Sequence, residues 1–258
     1  MTALALTNLN VALGARTVLS AVNAAFAPGE CVAIMGPNGS GKSTLMRAAA
    51  GLIAPASGDI SLHGKQLNAW RRTDLAREVA YLPQGGEVHW PLTVRNIVAL
   101  GRLPHAHRFA KRTNADEAAI GRAMQACDIA HLADRPATAL SGGERARALL
   151  ARALASEARV ILADEPFAQL DPSHQLHAME VLRAAADAGA LVLVVLHDLS
   201  IAARHATRVV LLSEGCTAAD GPPATTLVSE TLRQTFGIDA FIGDHAGAPV
   251  ILPLRRRA

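Results

Sequence analysis

The sequence predicts an α/β protein with a mixed sheet, an antiparallel β-subdomain at its N-terminal end and a helical insertion near its middle. Three observations carry this. Cys31-Val32-Ala33-Ile34-Met35 is an unbroken apolar run followed by a glycine-rich loop and an alanine-rich segment, as expected of a strand buried on both faces that feeds a helix. Val160 to Ala163 and Leu191 to Leu196 are similar runs separated by a helix-length stretch, the spacing of a parallel crossover. Between these regions, Glu87 to Ala158 changes from strand-like runs to helical periods.

The elements follow in order. Leu4 to Leu13 and Val18 to Phe26 are short β-like runs broken by Gly14 and closed by Pro28-Gly29, the pattern of an antiparallel meander. Lys42 to Ala50 reads as a helix that Gly51 ends, glycine being the usual left-handed C-cap. Ser57-Gly58-Asp59 is expected to be a turn leading into a strand at Ile60 to His63, and Val79 to Leu82 another strand. Helices are expected at Val94 to Arg102, Asp116 to Cys127 and Gly143 to Ser156. Asp171 can cap, and Pro172 open, the helix of the crossover.

A chain of 258 residues can bury a large core. We read it as one domain: about 1–86 and 158–258 form the α/β core with its β-subdomain, and about 87–157 the helical part. The longest apolar run, Ala190 to Leu196, falls far short of the roughly 20 residues that span a bilayer. The first ten residues carry no basic stretch or cleavage pattern, so the chain is expected to stay in the cytoplasm. Cys31, Cys127 and Cys216 are odd in number without C-x-x-C spacing, which argues against a disulfide framework or a zinc site. The net charge of +3 is mild, and the basic cluster Arg255-Arg256-Arg257 reads as a solvated end rather than a nucleic-acid surface.

Gly36-Pro37-Asn38-Gly39-Ser40-Gly41-Lys42-Ser43 fits G-x-x-x-x-G-K-[ST] between a buried strand and a helix. Its glycines let backbone N–H groups wrap phosphates, Lys42 adds a charge, and the Ser43 hydroxyl can ligate Mg²⁺. Asp164 and Glu165 stand at the C-terminal edge of an apolar strand, where ligands bind in doubly wound sheets. Asp164 is expected to reach the Mg²⁺ shell through water, and Glu165 to polarise an attacking water as general base. Ser141-Gly142-Gly143-Glu144 opens a helix with Leu149, Leu150, Ala153 and Leu154 on one face and Arg145, Arg147 and Arg152 on the others. Small residues at such an N-terminus expose N–H groups and a positive dipole end that attract phosphate.

With these three motifs in this order, the chain resembles an ATP-binding cassette (ABC) subunit of a transporter almost end to end. The resemblance implies the P-loop NTPase ABC ATPase fold, with ATP and Mg²⁺ as cofactors. It implies ATP contacts from Gly36 through Thr44 and, across a homodimer formed on ATP binding, from Ser141, Gly142, Gly143 and Glu144 of the other chain. Gln84 matches the glutamine that touches Mg²⁺ and the attacking water, and His197 matches the switch histidine at the γ-phosphate. Ala168-Gln169-Leu170-Asp171 resembles the loop that crosses the dimer. The family usually stacks an aromatic on adenine near the first glycine turn, where this chain has Leu13, so only apolar contact is expected there.

Leu92 to His105, Asp171-Pro172-Ser173-His174-Gln175 and Gly247 to Pro253 resemble importers of iron chelates, haem and cobalamin. That implies transmembrane permease subunits at the cytoplasmic face of the membrane and, indirectly, a periplasmic or lipid-anchored substrate-binding protein. No nucleic acid is expected as a partner. The transported ligand does not touch this subunit, so His89, His105 and His107 need not bind haem or metal. The rival reading is a soluble cassette ATPase acting on DNA or the ribosome. It is disfavoured because the short stretch from Gln84 to Ser141 leaves no room for a long coiled coil and the chain has one phosphate loop.

Overall fold

The computed structural model describes residues 2–85, 92–106, 111–167 and 170–256. Glu87, His89, His107, Ala168, Gln169 and Arg257 lie outside them. In chain order the elements are β1 (Leu4–Leu13), β2 (Arg16–Phe26), β3 (Cys31–Met35), α1 (Lys42–Ala49), β4 (Ser57–Leu62), β5 (Lys65–Gln66), α2 (Arg72–Glu78), β6 (Val79–Leu82), α3 (Val94–Ala99), α4 (Asn114–Ala126), α5 (Gly142–Ala155), β7 (Val160–Ala163), α6 (Pro172–Asp187), β8 (Leu191–Val195), α7 (Leu199–His205), β9 (Arg208–Ser213), β10 (Cys216–Gly221), α8 (Pro223–Thr226), α9 (Ser229–Phe236), β11 (Ile238–His245) and β12 (Ala248–Arg256).

The central sheet runs β10-β9-β3-β8-β7-β6. It is parallel from β9 to β6, and β10 returns antiparallel on β9. Every residue of β3, β7 and β8 is buried, so the sheet is covered on both faces, as its unbroken apolar sequence requires. Alternate residues of β3 enter different cores. Val32 and Ile34 pack with Leu4, Leu19, Leu45 and Ile60, whereas Cys31, Ala33 and Met35 join Ile97, Ile120, Leu149 and Met179. One face thus carries α1 and an antiparallel sheet of order β2-β1-β4-β5, and the other carries α3 to α6. Each fully buried Val, Leu or Ile contributes roughly 1.5–3 kcal/mol, and this double burial fixes the C-terminal ends of β6, β7 and β8 in one line.

The structure corrects several expectations. Ser57-Gly58-Asp59 is not a turn before the strand but the first half of β4. Gly58 sits at φ +80°, where an added Cβ would lie 2.1 Å from the Asn8 carbonyl oxygen, so its missing side chain serves a close strand approach rather than a reversal. The run from Val94 is α-helical only to Ala99 and continues as 3₁₀ turns at Leu100–His105. Gly101 lies against α5, with a Cβ position 2.2 Å from the Arg152 carbonyl oxygen. Beside it, the buried Arg102 binds Asp116 (2.8 Å), the Ala155 carbonyl (3.0 Å) and Glu157 (2.9 Å). Arg147, on a face of α5 away from Leu149, is buried as well, and its guanidinium donates to the Asp128 carbonyl at 2.9 Å.

Arg255 and Arg256 of the basic end are exposed, as a solvated end requires, yet they are part of a strand. Arg255 and Arg256 belong to β12, which pairs with β11, and Arg255 Nε donates to Asp239 Oδ2 at 2.8 Å. The hairpin is fastened to α7 by Ser200, whose hydroxyl donates to the Ile251 carbonyl (3.0 Å) and accepts the Ile251 N–H (2.9 Å). Among the described residues no helix is long and apolar enough to cross a membrane.

Candidate nucleotide site

The loop between β3 and α1 has a backbone that only glycine tolerates at two points. Gly36 has φ +144°, with a Cβ position 2.0 Å from the Leu212 carbonyl oxygen, and Gly41, at φ +100°, would meet the Leu19 side chain at 2.5 Å. Pro37, Asn38 and Gly39 form the outer rim, with Asn38 and Gly39 exposed. Lys42 is buried, and its ammonium donates to the Gly36 and Pro37 carbonyls, both at 2.9 Å. Burial pulls its pKa down, while Glu165 and Asp164 push it back up. The side-chain nitrogen is thus held by the carbonyls of its own loop.

A group that fits this loop must satisfy what the chain leaves unmet. The Ser40 hydroxyl oxygen is buried without a hydrogen-bond partner, and α1 begins without a side-chain cap, leaving the donors that a phosphate accepts from. The cation side fits equally well. Ser43 Oγ donates to Asp164 Oδ1 at 3.0 Å, and the Tyr81 hydroxyl donates to Asp164 Oδ2 at 3.2 Å. Asp164 is fully buried, which raises its pKa, although both hydroxyls counter this. Among the described residues no cluster of three or more His, Cys, Asp or Glu could hold a metal by itself. One hydroxyl, one carboxylate and substrate phosphates suit Mg²⁺, which keeps water and is seldom caged by protein alone.

Glu165 follows β7 with a strained φ of +48°. Its carboxylate accepts from Gln84 Nε2 through Oε2 and faces His197 Nε2 through Oε1 at 2.8 Å. Gln84, Glu165 and His197 come from just beyond β6, β7 and β8, three neighbouring parallel strands, so the sheet brings together side chains that are far apart in sequence. A cavity of about 270 Å³ lined by Glu165, Phe167, Gln175 and His197 opens beside them.

Ser141 and Glu144 form a capping box on α5. Ser141 Oγ accepts the Glu144 N–H (3.2 Å), and Glu144 Oε2 accepts the Ser141 N–H (2.8 Å). The Ser141 backbone donor is the main reason the Glu144 carboxyl lies below its ordinary range. No hydrogen bond among the described residues joins Ser141, Gly142, Gly143 or Glu144 to the phosphate loop of the same chain. Asp171 caps α6 through the His174 N–H (2.9 Å) and also holds the His174 ring (2.8 Å). Leu13, at the end of β1, is exposed. Tyr81 escaped the sequence reading, because a tyrosine inside a short strand reads as packing; its place two residues before Pro83-Gln84 was the available signal.

A phosphate loop, a buried Asp beside its serine, and a carboxylate flanked by Gln and His at the ends of parallel strands define a nucleotide-hydrolysing cassette. The ABC transporter family model matches residues 19–168, and the chain belongs to that family as one of its ATP-binding, ATP-hydrolysing cassettes. It is 47% identical over 246 residues to the hemin import ATP-binding protein HmuV of Nocardia farcinica, covering 93% of this chain and 84% of the relative. It is 41% identical to the cobalamin import ATP-binding protein BtuD of Halobacterium salinarum, over 97% of this chain and 63% of that protein. Its fold superposes on a transporter described as of metal-chelate type, in an inward-facing conformation, with TM-score 0.84, 28% identity and coverage of 99% and 98% of the two chains. A dimeric ATP-binding cassette in a post-hydrolysis state with ADP and Pi gives TM-score 0.75 at 27% identity, over 85% of this chain and 98% of that one.

Proposed function

We propose that this chain energises import of an iron chelate such as a ferric siderophore, haem or cobalamin, by binding and hydrolysing ATP beneath a separate permease. The observation that carries the hydrolytic part is Glu165, held between Gln84 and His197 at the ends of adjacent strands. The import direction is supported by the relatives, whose names are those of hemin and cobalamin import proteins.

In this reading Gly36 to Thr44 hold the phosphates of one ATP. Lys42 moves its ammonium from the Gly36 and Pro37 carbonyls to phosphate oxygens, and Ser40 supplies its idle hydroxyl. Ser43, Gln84 and Asp164 would hold Mg²⁺, the last through water, and the cation would neutralise phosphate charge. Glu165 takes the proton of the attacking water, oriented by Gln84, and His197 senses the γ-phosphate. Ser141, Gly142, Gly143 and Glu144 of a second copy close over the same nucleotide, with Asp171 at the crossing loop. Among the described residues none of them bonds to the phosphate loop of its own chain, which supports a site shared by two.

The helical part, about 87–157, then moves against the core of about 1–86 and 158–258, and the permease converts that movement into alternating access. The protein would sit at the cytoplasmic face of the membrane, indirectly served by a periplasmic or lipid-anchored binding protein. Affinity purification from the native host tests this. A co-purifying integral-membrane permease is expected; a bound nucleic acid or ribosomal particle with no permease would overturn it.

A further inference from the structure

Tyr81 lies in β6, which among the described residues is an edge strand of the central sheet and pairs with β7, Tyr81 opposite Leu162 and Leu82 opposite Ala163. The pairing continues one step further, because the Asp164 N–H donates to the Leu82 carbonyl at 2.8 Å. Backbone and side chain of Asp164 are thus both tied to β6. Its carboxylate is fully buried and has one hydroxyl on each oxygen, Ser43 from α1 on Oδ1 and Tyr81 from β6 on Oδ2. Ser43 alone leaves the carboxylate free to pivot about its remaining bond; the phenol fixes the second point. Three residues on, the same chain end delivers Gln84 to Glu165.

We propose that Tyr81 is a positioning residue for the cation site: its phenol holds the Asp164 carboxylate in the plane from which it joins the Mg²⁺ shell. This rests on the assignment of Ser43 and Asp164 to that shell. Mg²⁺ demands near-ideal octahedral geometry; Asp164 reaches that shell through water, so Tyr81 acts one step further out than a direct ligand's partner, and the effect expected is the low end of the roughly 10–100-fold by which outer partners set metal affinity. Because β6 also carries Gln84, any shift of that strand end reaches the cation and the attacking water together.

The test is Tyr81→Phe in the full chain, which keeps the ring and removes the hydroxyl. ADP binding is measured in EDTA and then with Mn²⁺ as the probe, its occupancy read by electron paramagnetic resonance. The variant is expected to bind ADP in EDTA within about twofold of the parent, while half-saturation by Mn²⁺ in the presence of ADP rises about tenfold. The chain has one tyrosine, so tyrosine-labelled parent protein should also show a single ring signal that shifts when Mg²⁺ and ADP are added together. An unchanged Mn²⁺ half-saturation, even with lowered thermal stability, would reduce Tyr81 to a packing residue and overturn the proposal. Asp164→Asn separates the two levels: if it too leaves Mn²⁺ binding unchanged, the assignment of the cation shell itself fails.

Discussion

Glu165→Gln keeps the shape of the side chain and removes its charge. In the structure the carboxylate touches Gln84 Nε2 and His197 Nε2 and makes no hydrogen bond to the phosphate loop. Ground-state contacts to ATP should therefore survive. They come from Gly36 to Thr44, and the Ser43–Asp164 bond of 3.0 Å does not involve Glu165. The nucleotide Kd is expected to stay within about threefold, or ~0.6 kcal/mol. The transition state loses a proton acceptor. A positioned general base is worth about 10²–10⁴ in rate, so kcat should fall by that factor, about 2.7–5.5 kcal/mol of barrier. Phosphate release at saturating ATP reads the rate, equilibrium binding of ATP reads the affinity, and size-exclusion chromatography with ATP should show an accumulated dimer. Turnover at the parental rate would refute the assignment of the base, and a Kd raised a hundredfold would show that Glu165 belongs to the binding machinery instead.

Other outcomes follow from the same geometry. Ser141→Arg should block ATP-held pairing while the monomer still binds nucleotide, and it should lower Tm by a few degrees, because an N-cap is worth about 1 kcal/mol; loss of nucleotide binding by the monomer would contradict a shared site. Asp116 has its pKa held well below the ordinary carboxylate range, first by the Thr113 N–H, then by the Thr113 hydroxyl and Arg102. A depressed folded-state pKa stabilises above the unfolded value of about 3.9 and is lost as pH falls through the folded one. The Tm gap between the parent and Asp116→Asn should thus be widest near neutrality and close below about pH 4, and a gap constant down to acid unfolding would count against it. Burial pushes the Cys31 and Cys127 thiols up to about 12, while Cys216 is exposed. A thiol reagent at pH 8 should therefore label Cys216 first, with the other two reacting only after denaturation; rapid labelling of Cys31 in the folded protein would show that β3 opens.

Much of this protein could be read from its order of residues because two signals are local. A strand buried on both faces must be apolar throughout, and β3, β7 and β8 are. A phosphate loop needs glycine at fixed offsets, and Gly36 and Gly41 take conformations and contacts that exclude a Cβ. Resemblance supplied Gln84 and His197, which a single sequence cannot mark, since neither carries a neighbour that betrays its use.

What failed depended on partners distant in sequence. Gly58 was read as a turn because its reason, the Asn8 backbone, lies fifty residues away. The burial of Arg147 could not be read because Asp128, which receives it, is on another segment. The terminal hairpin escaped notice because its strands are half-exposed and interrupted by Pro249 and Pro253. The sequence alone determined the fold class and which residue types could bind phosphate, because periodicity and loop chemistry are written over short spans. Only the tertiary structure decided that Gln84, Glu165 and His197 share one point and that Tyr81 holds Asp164, because those contacts exist only once parallel strands are laid side by side with their ends in register.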